Sequence, residues 1–129
     1  MADPFIFINS YKIKPGREDE YRKMFQEVAD IVREKEPEML YFGEHIAEDG
    51  SQATTVQVHS DPANMGRHMQ LVGEHIQEAM DLLDASSMSI QIFGTPTDAV
   101  LAQMRGLAGS GVSVTVSPAS VQFDRFSSP

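Results

Sequence analysis

The side chains best suited to chemistry in this chain are one asparagine and two histidines. Asn9 follows the apolar run Phe5 to Ile8 and so interrupts an otherwise apolar stretch. A buried amide must be hydrogen-bonded, which makes Asn9 a candidate to orient a substrate oxygen or to stabilise a developing oxyanion. A bond to neighbouring backbone, or a place near the wet end of a strand, would explain it equally well. Tyr11 has the same parity and extends the polar end.

His68 and His75 lie seven residues apart in a predicted helix. At 100° per residue they point within about 20° of each other, so both fall on the edge of the apolar stripe. An imidazole titrates near neutral pH and could take a phenolic proton as a general base. The alternative is that each histidine is a half-exposed residue of an amphipathic helix.

Several kinds of site are excluded or disfavoured by residue content. The chain has no cysteine, which removes disulfides, thiolate nucleophiles and Cys-ligated metals. His68 and His75 would be about 10 Å apart along a helix, too far to share one ion. His45 and His59 lie on predicted paired strands and remain the one histidine pair that could approach. We expect no metal and no cofactor.

The formal net charge is −9, and the acidic residues lie mostly on predicted helix surfaces. Such a surface repels nucleic-acid phosphates and anionic lipid, so we expect neither partner. The first residues do not resemble a signal peptide, and no stretch approaches the roughly 18 apolar residues of a membrane span. These features predict a soluble, cytoplasmic protein.

Hydrophobic periodicity predicts the order strand, helix, strand, strand, helix, strand. The strands are expected at 5–13, 39–47, 53–59 and 88–93, and the helices at 17–36 and from Pro62 to about Leu83. Asp49-Gly50 is a strong hairpin signal between the middle strands. The prediction is an α+β, ferredoxin-like β-α-β-β-α-β unit with a four-stranded antiparallel sheet over residues 1–96.

The first strand is apolar on both parities, while the two crossover helices cover only one face of the sheet. The other face would be an exposed apolar patch, and such patches usually mean association. We therefore expect a homodimer that packs sheet to sheet.

Residues 97–129 extend the same domain. Thr97 can cap a short helix at 98–107, a strand is expected at 112–116, and 121–126 is a candidate for a further strand. This extension is either an appendage on the core or an arm that reaches the partner subunit.

The pattern resembles the antibiotic biosynthesis monooxygenase family of the dimeric α+β barrel superfamily. The resemblance rests on the order and spacing of several segments over about 90 of the 129 residues. These are Phe5-Ile6-Phe7-Ile8-Asn9 leading into Lys14-Pro15-Gly16, Tyr21, the hairpin from Tyr41-Phe42-Gly43 to Val58, Ser60-Asp61 with His68, and Ile90-Gln91-Ile92-Phe93-Gly94.

The resemblance implies a barrel-like homodimer with a pocket between sheet and helices in each subunit. Some family members oxidise phenols or quinols with molecular oxygen and no metal or flavin, and others degrade haem. The haem degraders use an Asn, which Asn9 matches, a His on helix two, which His75 could match, and a Trp. This chain has no Trp, which argues against haem degradation.

The sequence thus favours a cofactor-independent monooxygenase acting on a hydroxylated aromatic or quinol. Asn9 would position the oxygen and His75 or His68 would act as base. The apolar wall and its polar end would be formed by Tyr11, Phe42, Met69, Leu71 and Phe93. The alternative is a non-catalytic dimer that binds a small hydrophobic or aromatic molecule, or a structural dimer related to stress.

Overall fold

The computed structural model describes residues 4–108 and 111–125 of the chain. Its elements are β1 (Phe5–Ile13), α1 (Glu18–Lys35), β2 (Met39–Ile46), β3 (Gln52–His59), α2 (Ala63–Met80), β4 (Leu83–Phe93), α3 (Asp98–Ala108) and β5 (Ser113–Ser117). The first six elements confirm the predicted β-α-β-β-α-β order and the α+β, ferredoxin-like class.

The sheet has five strands in the order β2-β3-β1-β4-β5, which corrects the prediction of four. Strands β1 to β4 pair antiparallel, whereas β5 pairs parallel with β4 from Ser89↔Ser113 to Phe93↔Ser117. A parallel neighbour needs a crossover connection, and α3 supplies it. The extension is therefore part of the same sheet.

Element boundaries differ from the sequence prediction around residue 81. Helix α2 ends at Met80, and β4 begins at Leu83 rather than Met88. Leu82 and Leu83 are both buried, and the backbone N–H of Lys14 donates to the carbonyl oxygen of Leu82. Leu82 lies in the turn and Leu83 begins the strand, whereas hydrophobic periodicity alone predicted that the helix continues through both.

Side chains cap two helix starts, and the sequence predicted the cap at Thr97. The Asp61 carboxylate accepts bonds from the backbone N–H groups of Ala63 and Asn64, at 2.8 and 3.3 Å. The Thr97 hydroxyl accepts from the N–H of Val100 at 3.3 Å. Each satisfies donors that a helix start leaves unpaired.

No strand forms over residues 121–125, and Phe126 of that predicted strand lies outside the described residues. Val121 and Phe123 are 95% and 77% exposed. Among the described helices, none is long and apolar enough to cross a membrane.

The two faces of the sheet differ in character. Phe5, Phe7, Asn9, Tyr11 and Ile13 alternate along β1 on the face that the helices cover. The opposite face presents residues paired across neighbouring strands, Ile6↔Val58, Ile8↔Val56 and Ile6↔Phe93. No element among the described residues covers that second face.

Strand β3 places its polar residues, not its valines, beneath the helices. Thr55, Gln57 and His59 pair with Asn9, Phe7 and Phe5 and are all buried. Buried polar groups cost free energy unless they are hydrogen-bonded, so each of the three requires a partner beneath the helices.

Candidate active site

A cavity of about 110 Å³ lies between the sheet and the helices. Strands β1 to β4 form its floor and α1, α2 and α3 supply its walls. The lining is mostly apolar and includes six methionines, Met24, Met65, Met69, Met80, Met88 and Met104. Since a cavity of about 150 Å³ accepts a benzene ring, modest movement of these adaptable side chains would admit one aromatic ring.

All three proposed catalytic residues, Asn9, His68 and His75, line this one cavity. Strand β1 supplies Asn9 at its centre, and α2 supplies both histidines on one face. The sequence-based expectation that a strand-one amide and a helix-two imidazole share a cavity therefore matches the geometry.

His68 is 2% exposed and is not the half-exposed surface residue of the alternative interpretation. Its Nδ1 donates to Glu36 Oε2 at 2.7 Å, and both side chains are almost completely buried. A carboxylate that accepts from Nδ1–H leaves the Nε2 lone pair free to accept a proton. Within the described residues, Nε2 has no hydrogen-bond partner.

The Glu36–His68 pair belongs to a larger buried network. Asn64 Nδ2 lies 3.4 Å from Glu36 Oε1 and 2.9 Å from His59 Nδ1. His59 Nε2 in turn donates to Gln57 Oε1 at 2.9 Å. Burial, together with the nearby His68, lowers the pKa of His59 to about 3, so this ring is neutral at physiological pH. The network fixes the orientation of the two side chains at its ends, His68 and Gln57.

Asn9 Oδ1 is buried and has no hydrogen-bond partner among the described residues. An unsatisfied buried acceptor costs about 1–3 kcal/mol, so native proteins rarely keep one without a reason. Asn9 lines the cavity, so a rotation of its side-chain amide would bring Oδ1 to a hydroxyl donor of a ligand.

His75 occupies the cavity edge. Its side chain is 26% exposed, and Nε2 lies 3.8 Å from Glu27 Oε2 on α1. This contact bridges the two helices, and His75 lines the cavity while part of its side chain stays exposed.

Aromatic rings connect the cavity wall to the Glu36–His68 pair. Phe25 and Phe42 are stacked with centroids 5.7 Å apart, and Phe42 lies 5.8 Å from the His68 ring. Of the five proposed wall residues, Tyr11, Phe42 and Met69 do line the cavity.

The prediction that Phe93 and Leu71 form part of the cavity wall was wrong. Phe93 is 39% exposed and pairs with Ile6 on the opposite face of the sheet, because side chains alternate along a strand. Leu71 packs against the core but does not line the cavity. One residue of helix rotates a side chain by 100°, which takes Leu71 away from the face that carries His68 and Val72.

The remaining histidine pair does not form a metal site. His45 pairs with Thr54 and its ring contacts Tyr41 and the Thr54 carbonyl, whereas His59 is buried beneath the helices. The two rings lie on opposite faces. Across the described ranges, no cluster of three potential metal ligands occurs.

Neither a protein-family model nor a curated protein matches this chain. Several solved structures match this chain in fold. MupZ from Pseudomonas fluorescens superposes with a TM-score of 0.73 at 21% identity, covering 97% of this chain and 91% of MupZ. SnoaB from Streptomyces nogalater, a cofactor-independent oxygenase solved as a mutant, gives 0.61 at 18% identity, covering 73% and 94%.

A putative antibiotic biosynthesis monooxygenase from Caulobacter crescentus CB15 gives a TM-score of 0.64 at 14% identity, covering 70% of this chain and 88% of that one. This chain has the fold of the antibiotic biosynthesis monooxygenases. At these identities the likeness concerns the fold alone. The match with MupZ covers so much of the chain that it includes most of the α3–β5 extension, so this extension is not peculiar to the present protein.

Two functional candidates were missed from sequence. Glu36 follows Glu34-Lys35 at the end of α1 and looks like one more solvated charge. Glu44 had a readable signal, because it shares parity with Phe42 and Ile46 on β2, and an acid among apolar residues on a covered face requires a partner.

Proposed function

We propose that this protein is a cofactor-independent monooxygenase that oxidises a hydroxylated aromatic or quinol with molecular oxygen. The observation that carries the proposal is the buried Glu36–His68 pair at a cavity that Asn9 also lines, with Asn9 Oδ1 lacking a hydrogen-bond partner among the described residues. The fold shared with SnoaB, described as a cofactor-independent oxygenase, supports the same class.

The first step is proton abstraction. Glu36 holds the Nδ1–H tautomer of His68, so Nε2 accepts the proton of a ring hydroxyl, and Asn9 Oδ1 accepts a bond from a second hydroxyl or from the same group before transfer. The resulting phenolate is electron-rich and can pass an electron to oxygen. An apolar cavity suits both the ring and molecular oxygen.

Overall, an activated CH₂ of the substrate and one O₂ become a carbonyl and one water. The ring hydroxyl is the enol form of that activated CH₂, so loss of its proton leaves negative charge on the ring carbon, which still carries one hydrogen. This carbon adds oxygen, and His68 returns its proton to give a hydroperoxide. Loss of the remaining C–H proton and of hydroxide then forms the carbonyl. The substrate carbon supplies all four electrons, so no external reductant is required.

We further propose that the protein is a cytoplasmic homodimer joined through the open sheet face. Ile6, Ile8, Val56 and Val58 form the centre of that face, and Phe93 adds a 39% exposed ring at its side. An apolar sheet face of this kind usually marks a surface for association.

Oxygen consumption with a panel of quinols and anthrone-like phenols tests the function. Turnover by metal-free protein, lost in Asn9→Ala and His68→Ala, is the expected result. His75→Ala should retain the chemical step with a raised KM. Turnover unchanged by the first two substitutions would remove the proposed site, and no turnover on any substrate would favour a binding protein.

A further inference from the structure

A second buried polar chain touches the cavity, and the mechanism above does not use it. Tyr11 and Tyr21 are hydrogen-bonded through their hydroxyls, and Tyr21 donates to Glu44 Oε1 at 3.0 Å. Thr55 donates to Glu44 Oε2 at 2.9 Å. We call Tyr11, Tyr21 and Glu44 the tyrosine–glutamate chain.

The two ends of this chain open into different spaces. Tyr11 lines the cavity, and its hydroxyl bonds to that of Tyr21. Glu44 instead lines a separate outer hollow of about 320 Å³, together with Arg22 and Gln26 of α1. Tyr21, which is fully buried, is the link between them.

We propose that the tyrosine–glutamate chain is a proton relay that connects the cavity with the outer hollow and delivers a proton to the oxygen that leaves during catalysis. The proposal rests on the monooxygenase function proposed above. Three hydroxyl or carboxyl groups in series, with one end at the reacting space and the other near solvent, are the arrangement that a relay requires.

The step balances as follows. In the hydroperoxide, His68 takes the C–H proton, the C–H electron pair forms the carbonyl, and the O–O bond breaks. The relay runs when Glu44 is protonated, because its carboxyl O–H then donates to the Tyr21 oxygen, the reverse of the bond in the carboxylate form. The departing hydroxide takes the Tyr11 proton and becomes water, Tyr11 takes the Tyr21 proton, and Tyr21 takes the proton of Glu44. Solvent then removes the proton from His68 and returns one to Glu44.

Glu44 is suited to the terminal position. Burial raises its pKa to about 7, so both the acid and the carboxylate are populated near neutrality. Titratable groups that face it are Tyr21 and Arg22 on α1, Tyr11 on β1 and His45 on its own strand. Burial raises the pKa values of Tyr11 and Tyr21, so both keep their protons between transfers.

The kinetic test uses Glu44→Gln, with Glu34→Gln on the exposed surface of α1 as a matched control. The relay predicts that wild-type kcat falls as pH rises through about 7, because the acid form of Glu44 is consumed. Glu44→Gln should lose this pH dependence and about 10²-fold of kcat, the size of one general-acid contribution. A retained pH profile would overturn the relay.

A second test does not depend on turnover. Infrared difference spectra follow the Glu44 carboxyl band, assigned by its absence in Glu44→Gln, with and without 4-nitrophenol in the cavity. The relay predicts that ionising the bound probe shifts Glu44 protonation, and that Tyr11→Phe abolishes this coupling while Glu44 itself still titrates. If Glu44 titrates without coupling in the wild type, its role is structural and the relay is wrong. Coupling without turnover on any substrate would leave the relay intact and reject the oxygenase function.

Discussion

His68 Nδ1 lies 2.7 Å from Glu36 Oε2, and the two side chains are 3% and 0% exposed. When Nδ1–H donates to the carboxylate, Nε2 of the neutral ring is left as a base, and His68 lines the cavity. Glu36 thereby acts as a positioning residue for His68.

Replacing Glu36 with glutamine tests that role. The amide can hold the ring but does not provide the charge that stabilises the imidazolium formed on proton abstraction. We expect kcat to fall by about 10²–10³-fold with little change in KM, since the contact acts mainly in the transition state. Steady-state kinetics with Glu34→Gln as control would show it, and an unchanged kcat would contradict a general-base role for His68.

We expect Asn9 to lower the stability of the fold while it supports turnover. Asn9→Leu removes a buried acceptor that has no partner within residues 4–108 and 111–125, so we expect the free energy of unfolding to rise by about 1 kcal/mol while turnover is lost. Asn64→Leu is the matched control, because Asn64 bonds to His59 and Glu36 and its loss should destabilise the fold. Denaturant unfolding measures both, and a destabilised Asn9→Leu would show that Asn9 serves the fold.

The stability of the wild type should change little between pH 5 and 7, because two buried groups oppose each other. The pKa of His59 is lowered from 6.5 to about 3, so its contribution is lost as pH falls below 6.5. The pKa of Glu44 is raised from 4.5 to about 7, so its contribution is lost as pH rises from 4.5 toward 7. Each change amounts to about 2 kcal/mol across this range.

Variants separate the two effects. Glu44→Gln should be more stable at pH 7 than at pH 5 by about 2 kcal/mol, and His59→Gln should show the reverse trend. Urea unfolding at both pH values provides the comparison, and all other titrating groups are shared. If the stability of both variants changed with pH in the same direction, the proposal that Glu44 and His59 have opposite effects would be wrong.

The open sheet face should control assembly. Ile8 and Val56 pair across β1 and β3 on that face, so Ile8→Lys would place a charge in an interface that buries it. Light scattering after size exclusion should give a dimer for wild type and for Glu34→Lys, and a monomer for Ile8→Lys. A stable wild-type monomer at micromolar concentration would remove the dimer proposal.

Sequence patterns were sufficient for the order of elements because each strand and helix carries its own hydrophobic period. They could not place β5 beside β4, since pairing between distant segments leaves no local period. They located Asn9 and His68, each a polar residue beside an apolar stripe. They did not find Glu36, whose burial is decided by the packing of α1 against α2 and by nothing in its neighbours Glu34 and Lys35.

Isotopic labelling tests the central claim most directly. Metal-free protein would be supplied with oxygen-18 gas and a one-ring quinol, which matches the size of the cavity, and the product would be examined by mass spectrometry. The account predicts one labelled oxygen per product molecule, with incorporation suppressed in His68→Ala. Product without label, or equal labelling by His68→Ala and wild type, would contradict it.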